Sequence, residues 1–394
     1  MKVLFFGAAS FFKDKDETDG ITYQANTHLA SDFSVDSSKY VIFPGFVDVH
    51  VHFREPGFSY KETIKTGSLS AAHGGFTTVC TMPNLNPVPD CYDNLKPQLD
   101  LIRKAGIINV IPYGSITRNE SGKELSDMKE LSRYVCGFSD DGKGVDSYEI
   151  MLLAMKEAKG LGKIIAAHCE DYSQIKDSKE AEWKEIERDI KIADLTGCKF
   201  HVCHISTKES VSLIRDAKKS GVDISCETAP HYLTLSEKDI RDDGGYRMNP
   251  PLRGEEDREA LIEGLCDGTI DMIATDHAPH SREEKSKGLK SLNGIVGLEC
   301  SFPILYTKLV KNNVISLEKL IELMSLNPAR RFGFEQKNCY CVYSLDEQYR
   351  INPEQFASMG RSTPFKNEKV FGKCIATICN GELAYIDSGL IDRS

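Results

Sequence analysis

No run in this chain is apolar for long enough to span a bilayer, and the N-terminus carries no signal-peptide pattern. Both absences lead us to expect a cytoplasmic protein. There is no Cys-x-x-Cys pair either. The 13 cysteines are scattered, and an odd number cannot pair completely. Several of them (Cys80, Cys136, Cys203, Cys226) sit in strand-like runs, so they read as buried or free thiols in a reducing compartment, which argues against a zinc-finger or disulfide framework. Positive charge is in deficit. A net charge of -10 argues against nucleic acid and anionic membranes as partners. An acidic substrate would therefore need local positive charge, from a metal or an arginine. Internal repeats and low-complexity segments are also missing.

What is present is a globular composition, 40% hydrophobic and 27% charged over 394 residues, enough for one large domain and a small one. From Val41 onward, strand-like runs alternate with amphipathic helical stretches. The strand candidates are Gly45–Val51, Thr77–Met82, Asn109–Ile116, Tyr134–Ser139, Lys163–His168, Lys199–His204, Asp223–Thr228 and Asp271–Thr275. Helices are expected over Tyr60–His73, Asp90–Ala105, Ser147–Lys159, Glu180–Thr196, Thr207–Ser220 and Glu255–Cys266. Gly74, Gly197 and Gly221 mark C-terminal stops, and Ser147 and Thr207 mark starts. Two further helices, Gly297–Asn312 and Ser316–Ser325, follow, the second ended by Asn327-Pro328-Ala329-Arg330.

Eight such strands within a length near the usual ~250 residues predict a (β/α)8 TIM barrel. A doubly wound open sheet is the rival. The barrel ranks higher because polar residues recur at the C-terminal ends of strands one, four, five, six and eight, which only a closed barrel brings to one point. Residues 44–335 are assigned to the barrel. Residues 1–43 and 336–394 are expected to pack together as a small β domain, with a solvated turn at Lys13–Glu17.

The first strand, Gly45–Val51, leads into His50-Val51-His52-Phe53-Arg54-Glu55-Pro56-Gly57. Alternation along a strand points His50 and His52 the same way, poised to share a metal, and Arg54 continues that parity with a fork suited to a carboxylate. Strand four ends in Ser139-Asp140-Asp141-Gly142, strand five in His168-Cys169-Glu170, strand six in His201-Val202-Cys203-His204 and strand eight in Thr275-Asp276-His277. Each has a bland reading: a core histidine, a turn aspartate, a helix cap. His201 is the weaker choice in strand six because its side chain should point opposite to His204. Together, four histidines and two aspartates around one mouth form a donor set that suits zinc.

These stretches, with Thr81-Met82-Pro83-Asn84, Arg247–Gly254 and Ile273–His280, resemble the class I bacterial dihydroorotases of the amidohydrolase superfamily. The resemblance implies two zinc ions per chain. His50 and His52 would bind the first, His168 and His204 the second, and Asp141 would bridge them. Asp276 would ligate the first and serve as general acid and base. Arg54 and Asn84 would hold the substrate carboxylate, Asn249 and His280 would contact the ring, and backbone near Asn293 and Gly294 would close over it. The implied reaction is reversible hydrolysis of (S)-dihydroorotate to N-carbamoyl-L-aspartate in pyrimidine (UMP) biosynthesis. A homodimer is common in similar enzymes, and an aspartate transcarbamoylase is a candidate partner. The alternatives are another cyclic amidase, such as a hydantoinase or allantoinase, and an inactive homologue kept as a subunit.

Overall fold

The computed structural model describes residues 3–6, 9–10, 33–36 and 39–391. The turn expected at Lys13–Glu17 lies outside the described residues. Five short strands come first: β1 (Val3–Phe6), β2 (Ala9–Ser10), β3 (Phe33–Asp36), β4 (Val41–Pro44) and β5 (Phe46–Val51). The barrel continues through β6 (Phe76–Thr81), β7 (Asn109–Pro112), β8 (Gly137–Phe138), β9 (Ile164–Ala167), β10 (Lys199–Val202), β11 (Ile224–Thr228) and β12 (Met272–Ile273). All eight barrel strands fall within or beside the runs expected from the sequence. β5, β6 and β7 pair in parallel, and so do β8 through β12. Parallel bridges Gly114↔Phe138 and Val51↔His277 join the two groups and close the ring.

Helices alternate with the strands: α1 (Ile64–His73), α2 (Tyr92–Ala105), α3 (Met128–Leu131), α4 (Tyr148–Gly160), α5 (Lys179–Thr196), α6 (Lys208–Lys219), α7 (Pro230–Thr234) and α8 (Glu255–Asp267). Ser147, Ser178 and Thr207 cap α4, α5 and α6 with their hydroxyls. α1 starts later than its periodicity predicts. Thr63 caps it, accepting from the Thr66 amide at 3.1 Å while the Thr66 hydroxyl accepts from the Thr63 amide at 3.1 Å. Nor does the last barrel-side helical run stop at Pro328. It passes from Leu317–Ile321 through a π turn, Glu322–Leu326, into Asn327–Phe332. Pro328 falls in the first turn after the wide segment, where a missing N–H costs least.

A cluster inside the barrel includes Val47, Val49, Cys80, Tyr113, Ala166 and Met272, with Phe332 packed against it. A larger cluster fills the space between strands and helices. Beyond the barrel, β13 (Tyr340–Arg350), β14 (Lys369–Cys379) and β15 (Glu382–Ile386) form an antiparallel meander. β4 adds antiparallel to β13, with Phe43 opposite Cys341, and β2 adds parallel to β4. The chain's two end segments thus share one five-stranded sheet of order β15-β14-β13-β4-β2.

Candidate functional site

Simple alternation would turn His50 outward if Val47 and Val49 line the barrel interior. The register of β5 against β6 shifts between Asp48 and Val51, and such a shift flips the facing side. The His50 amide donates to Asp48 Oδ1 (3.0 Å) inside this kink. Asp48 in turn accepts from the amide and hydroxyl of Thr275 at 3.1 and 2.6 Å, tying the first strand's end to the last.

The six residues expected to bind metal converge. His50 Nε2 lies 3.2 Å from Asp141 Oδ1 and 3.6 Å from Asp276 Oδ1. His52 Nε2 is 3.3 Å from Asp141 Oδ2 and 3.2 Å from Asp276 Oδ1. On the other side, His204 Nε2 and His168 Nδ1 are 3.6 and 3.9 Å from Asp141 Oδ1 and 2.9 Å from each other. Asp141 therefore stands between two histidine pairs. All six side chains are buried. His204 (φ +33°) and Asp276 (φ +47°) adopt left-handed backbone, a strained state held by the surrounding loops and concentrated here at strand ends.

The electrostatics are those of an anionic socket. Burial disfavours ionised Asp141, but the facing His50 charge and the close approach of the His204 and His52 imidazoles overcome it and hold the carboxyl well below the usual carboxylate range. Asp276 behaves alike: burial opposes its charge, and the His52 hydrogen bond with the nearby imidazole charges brings it to about 2. Two atoms at the centre, His50 Nε2 and Asp141 Oδ1, are buried without a hydrogen-bond partner. An orphaned carboxylate oxygen facing an orphaned imidazole nitrogen, which binds metal in its neutral form, fits a bound dication. His50, His52 and Asp276, and likewise His50, Asp141 and His204, offer ligand atoms within 4.8 Å of one another.

Sequence reasoning missed the support behind these ligands. Glu227 on β11 accepts from His50 Nδ1 through Oε1 (2.7 Å) and meets His201 Nε2 through Oε2 (3.1 Å). His201 Nδ1 meets Ser225 Oγ at 2.8 Å. His204, past the strand in left-handed backbone, reaches the cluster directly, while His201 supports it from behind through Glu227. The signal for Glu227 was a lone acid in the apolar run Ile224-Ser225-Cys226-Glu227. Glu170 meets His168 Nε2 at 3.4 Å. Asp140 belongs to the scaffold and accepts from the Ile116 and Thr117 amides at 2.7 and 3.1 Å.

Arg54 is buried, but strand parity does not place it, since β5 ends at Val51 and Arg54 has φ +58°. Its Nε donates to Pro279 O (3.3 Å), and its terminal nitrogen is 3.5 Å from His280 Nε2. His280 is neutral: burial first, then the Arg54 and Lys61 charges, push it down to about 3. That suits Nε2–H donating to Asn293 O (2.7 Å) while Nδ1 accepts from Lys61 Nζ (3.3 Å). Asn84 Oδ1 accepts from His52 Nδ1 (2.9 Å), and Asn249 Nδ2 donates to Glu170 Oε2 (3.1 Å). The Gly294 backbone also bonds within the protein. Its amide donates to Arg247 O (3.0 Å) and its carbonyl accepts from Lys285 Nζ (2.7 Å). In that loop it is the side-chain oxygen of Asn293 that is buried without a partner.

A family model described as Dihydro-orotase-like matches residues 39–183. The dihydroorotase of Fusobacterium nucleatum subsp. nucleatum is 48% identical over 388 residues, covering 92% of this chain and 91% of that protein. The dihydroorotase of Bacillus cereus (strain AH820) is 45% identical over 380 residues, covering 89% and 88%. Among solved structures, the L-hydantoinase from Arthrobacter aurescens matches with a TM-score of 0.80 at 26% identity, covering 90% of this chain and 87% of that one.

Proposed function

The chain belongs to the dihydroorotase family, and from that membership we propose that its barrel mouth hydrolyses the ring amide of (S)-dihydroorotate, reversibly, to N-carbamoyl-L-aspartate, as a step of pyrimidine synthesis. The observation that carries the reading is the position of Asp141 between His50 and His52 on one side and His168 and His204 on the other. Two zinc ions would be held there, the first by His50, His52 and Asp276, the second by His168 and His204, with Asp141 shared. Bound zinc supplies the Lewis acidity that makes water nucleophilic near neutral pH and polarises a carbonyl.

The chain's own residues do the rest. The Arg54 guanidinium offers a planar fork to the substrate carboxylate, assisted by the Asn84 amide group. Neutral His280 and Asn249 orient the ring, and the Asn293 side-chain oxygen accepts from a ring N–H. Asp276, ionised at neutral pH, takes the proton of the attacking water and returns it to the leaving ring nitrogen. The 13 free cysteines support a reducing compartment as the working environment.

The test is zinc per chain, followed by hydrolysis of dihydroorotate. We expect Asp276→Asn to keep its fold and most of its metal while turnover falls by about 10²–10⁴-fold. Near wild-type turnover would remove Asp276 from the mechanism. A wild-type chain without zinc or turnover would favour a role as a non-catalytic subunit.

A further inference from the structure

We propose that Lys285 is a positioning residue for the reaction: its ammonium clamps the Leu292–Gly294 segment to the backbone at Arg247 and so fixes the spacing of Asn249 and Asn293 across the mouth. The proposal rests on the reading that these two asparagines face the substrate.

The geometry is that of a tripod. Lys285 Nζ donates to Leu292 O (2.7 Å), Gly294 O (2.7 Å) and Arg247 O (3.0 Å). Three ammonium protons meet three carbonyls, a match for lysine that the planar fork of arginine does not reproduce. The side chain is buried, with 6% exposed, and its three hydrogen bonds all go to neutral backbone carbonyls. Burying a cation against neutral acceptors alone is unfavourable. Burial first, then Arg247, push its pKa down to about 8, and Asp243 opposes them. An aliphatic side chain could fill the same volume without that cost, so the ammonium has a geometric task.

The clamped pieces are those that carry the site. Arg247 O accepts from Gly294 N (3.0 Å) as well as from the lysine. Two residues on, Asn249 reaches Glu170 beside His168. One residue before Gly294, the Asn293 carbonyl holds His280. Gly294 threads closely beneath, with φ +131°, and a Cβ there would lie 2.5 Å from Ala278 O. At its other end the lysine's own turn is fixed, since the Lys285 amide donates to Ser281 O (3.1 Å).

Lys285→Met keeps the stem and removes all three donors. In the zinc-loaded variant we expect KM for dihydroorotate to rise at least about tenfold while kcat stays within about threefold, the signature of lost substrate positioning. Bound zinc should be unchanged, and the Leu292–Gly294 amides should exchange hydrogen faster than in the wild type. An unchanged KM, or exchange as slow as the wild type's, overturns the proposal. If Lys285→Met does not fold, Lys285→Gln, with two donors on a shorter stem, is read by the same criteria. A wild-type enzyme that binds zinc but leaves dihydroorotate intact would sink the substrate reading, and the exchange measurement would still decide whether Lys285 is the clamp.

Discussion

Glu227 is the carboxylate on which the first histidine depends. Its hydrogen bond to His50 Nδ1 fixes the ring so that Nε2 faces the centre, and its other oxygen is steadied by His201. Burial opposes its charge, but the His50 charge and the His201 hydrogen bond bring it to about 2, so it is anionic at any working pH. Glu227→Gln removes that charge with little change of shape. Zinc affinity should fall by roughly 10–100-fold with the melting temperature of the metal-free protein little altered, as competition with a chromophoric chelator would measure. In the proposed reaction Arg54 is the group that selects a carboxylate-bearing ring. Arg54→Met should raise KM for dihydroorotate by about 10–100-fold, the loss of one charge-assisted contact, and leave any hydrolysis of an uncharged hydantoin-type ring unaffected. An unaltered KM would point to a different carboxylate partner. The six converging side chains were legible because a polar residue ending an apolar run stands out. Glu227 was harder to see because nothing in its neighbours reveals that it sits beneath His50.

The loop from β10 to α6 shows how an element is made to present a ligand. His204 precedes Ile205-Ser206-Thr207, and Glu182 on α5 accepts from the Ser206 and Thr207 amides at 2.9 and 3.1 Å and from the Ser210 hydroxyl at 2.7 Å. Thr207 Oγ1 caps α6 by accepting from the Ser210 amide (3.2 Å). Thr207→Ala should cost about 1 kcal/mol, read as a lower urea midpoint. An unchanged midpoint would show that Glu182 alone holds the turn. Strand and helix order was plain from alternating periodicity. Starts and stops were less so: the Thr63–Thr66 pair delays α1, and the π turn carries a helical run past Pro328. The kink in β5 was invisible, since it is set by register against β6, a relation between segments that no single run encodes. The left-handed backbone at Arg54 and His204 is of the same kind, imposed by packing across the mouth.

The folded chain also stores charge that answers to pH. Burial first, then the charge of Asp140, raises the Glu120 carboxyl from 4.5 to about 8, although Lys143 lies 3.6 Å away. In the unfolded chain that group loses its proton near the ordinary glutamate value of 4.5. Between about 4.5 and 8 the folded state thus holds a proton that the unfolded state has lost, and stability falls as pH rises through this window. Glu120→Gln should flatten that slope, melting at least ~2 °C above the wild type at alkaline pH and level with it in acid. An equal melting temperature at alkaline pH would show that the carboxylate is solvated.

The five-stranded sheet has a consequence for synthesis. Phe43 pairs with Cys341, so β4 emerges from the ribosome long before its partner β13 exists. Through nearly all of translation the strand Val41–Pro44 offers a bare edge beside the nascent barrel. Any chain released before Tyr340 keeps that edge open, and polysomes stalled there should be where chaperones are found.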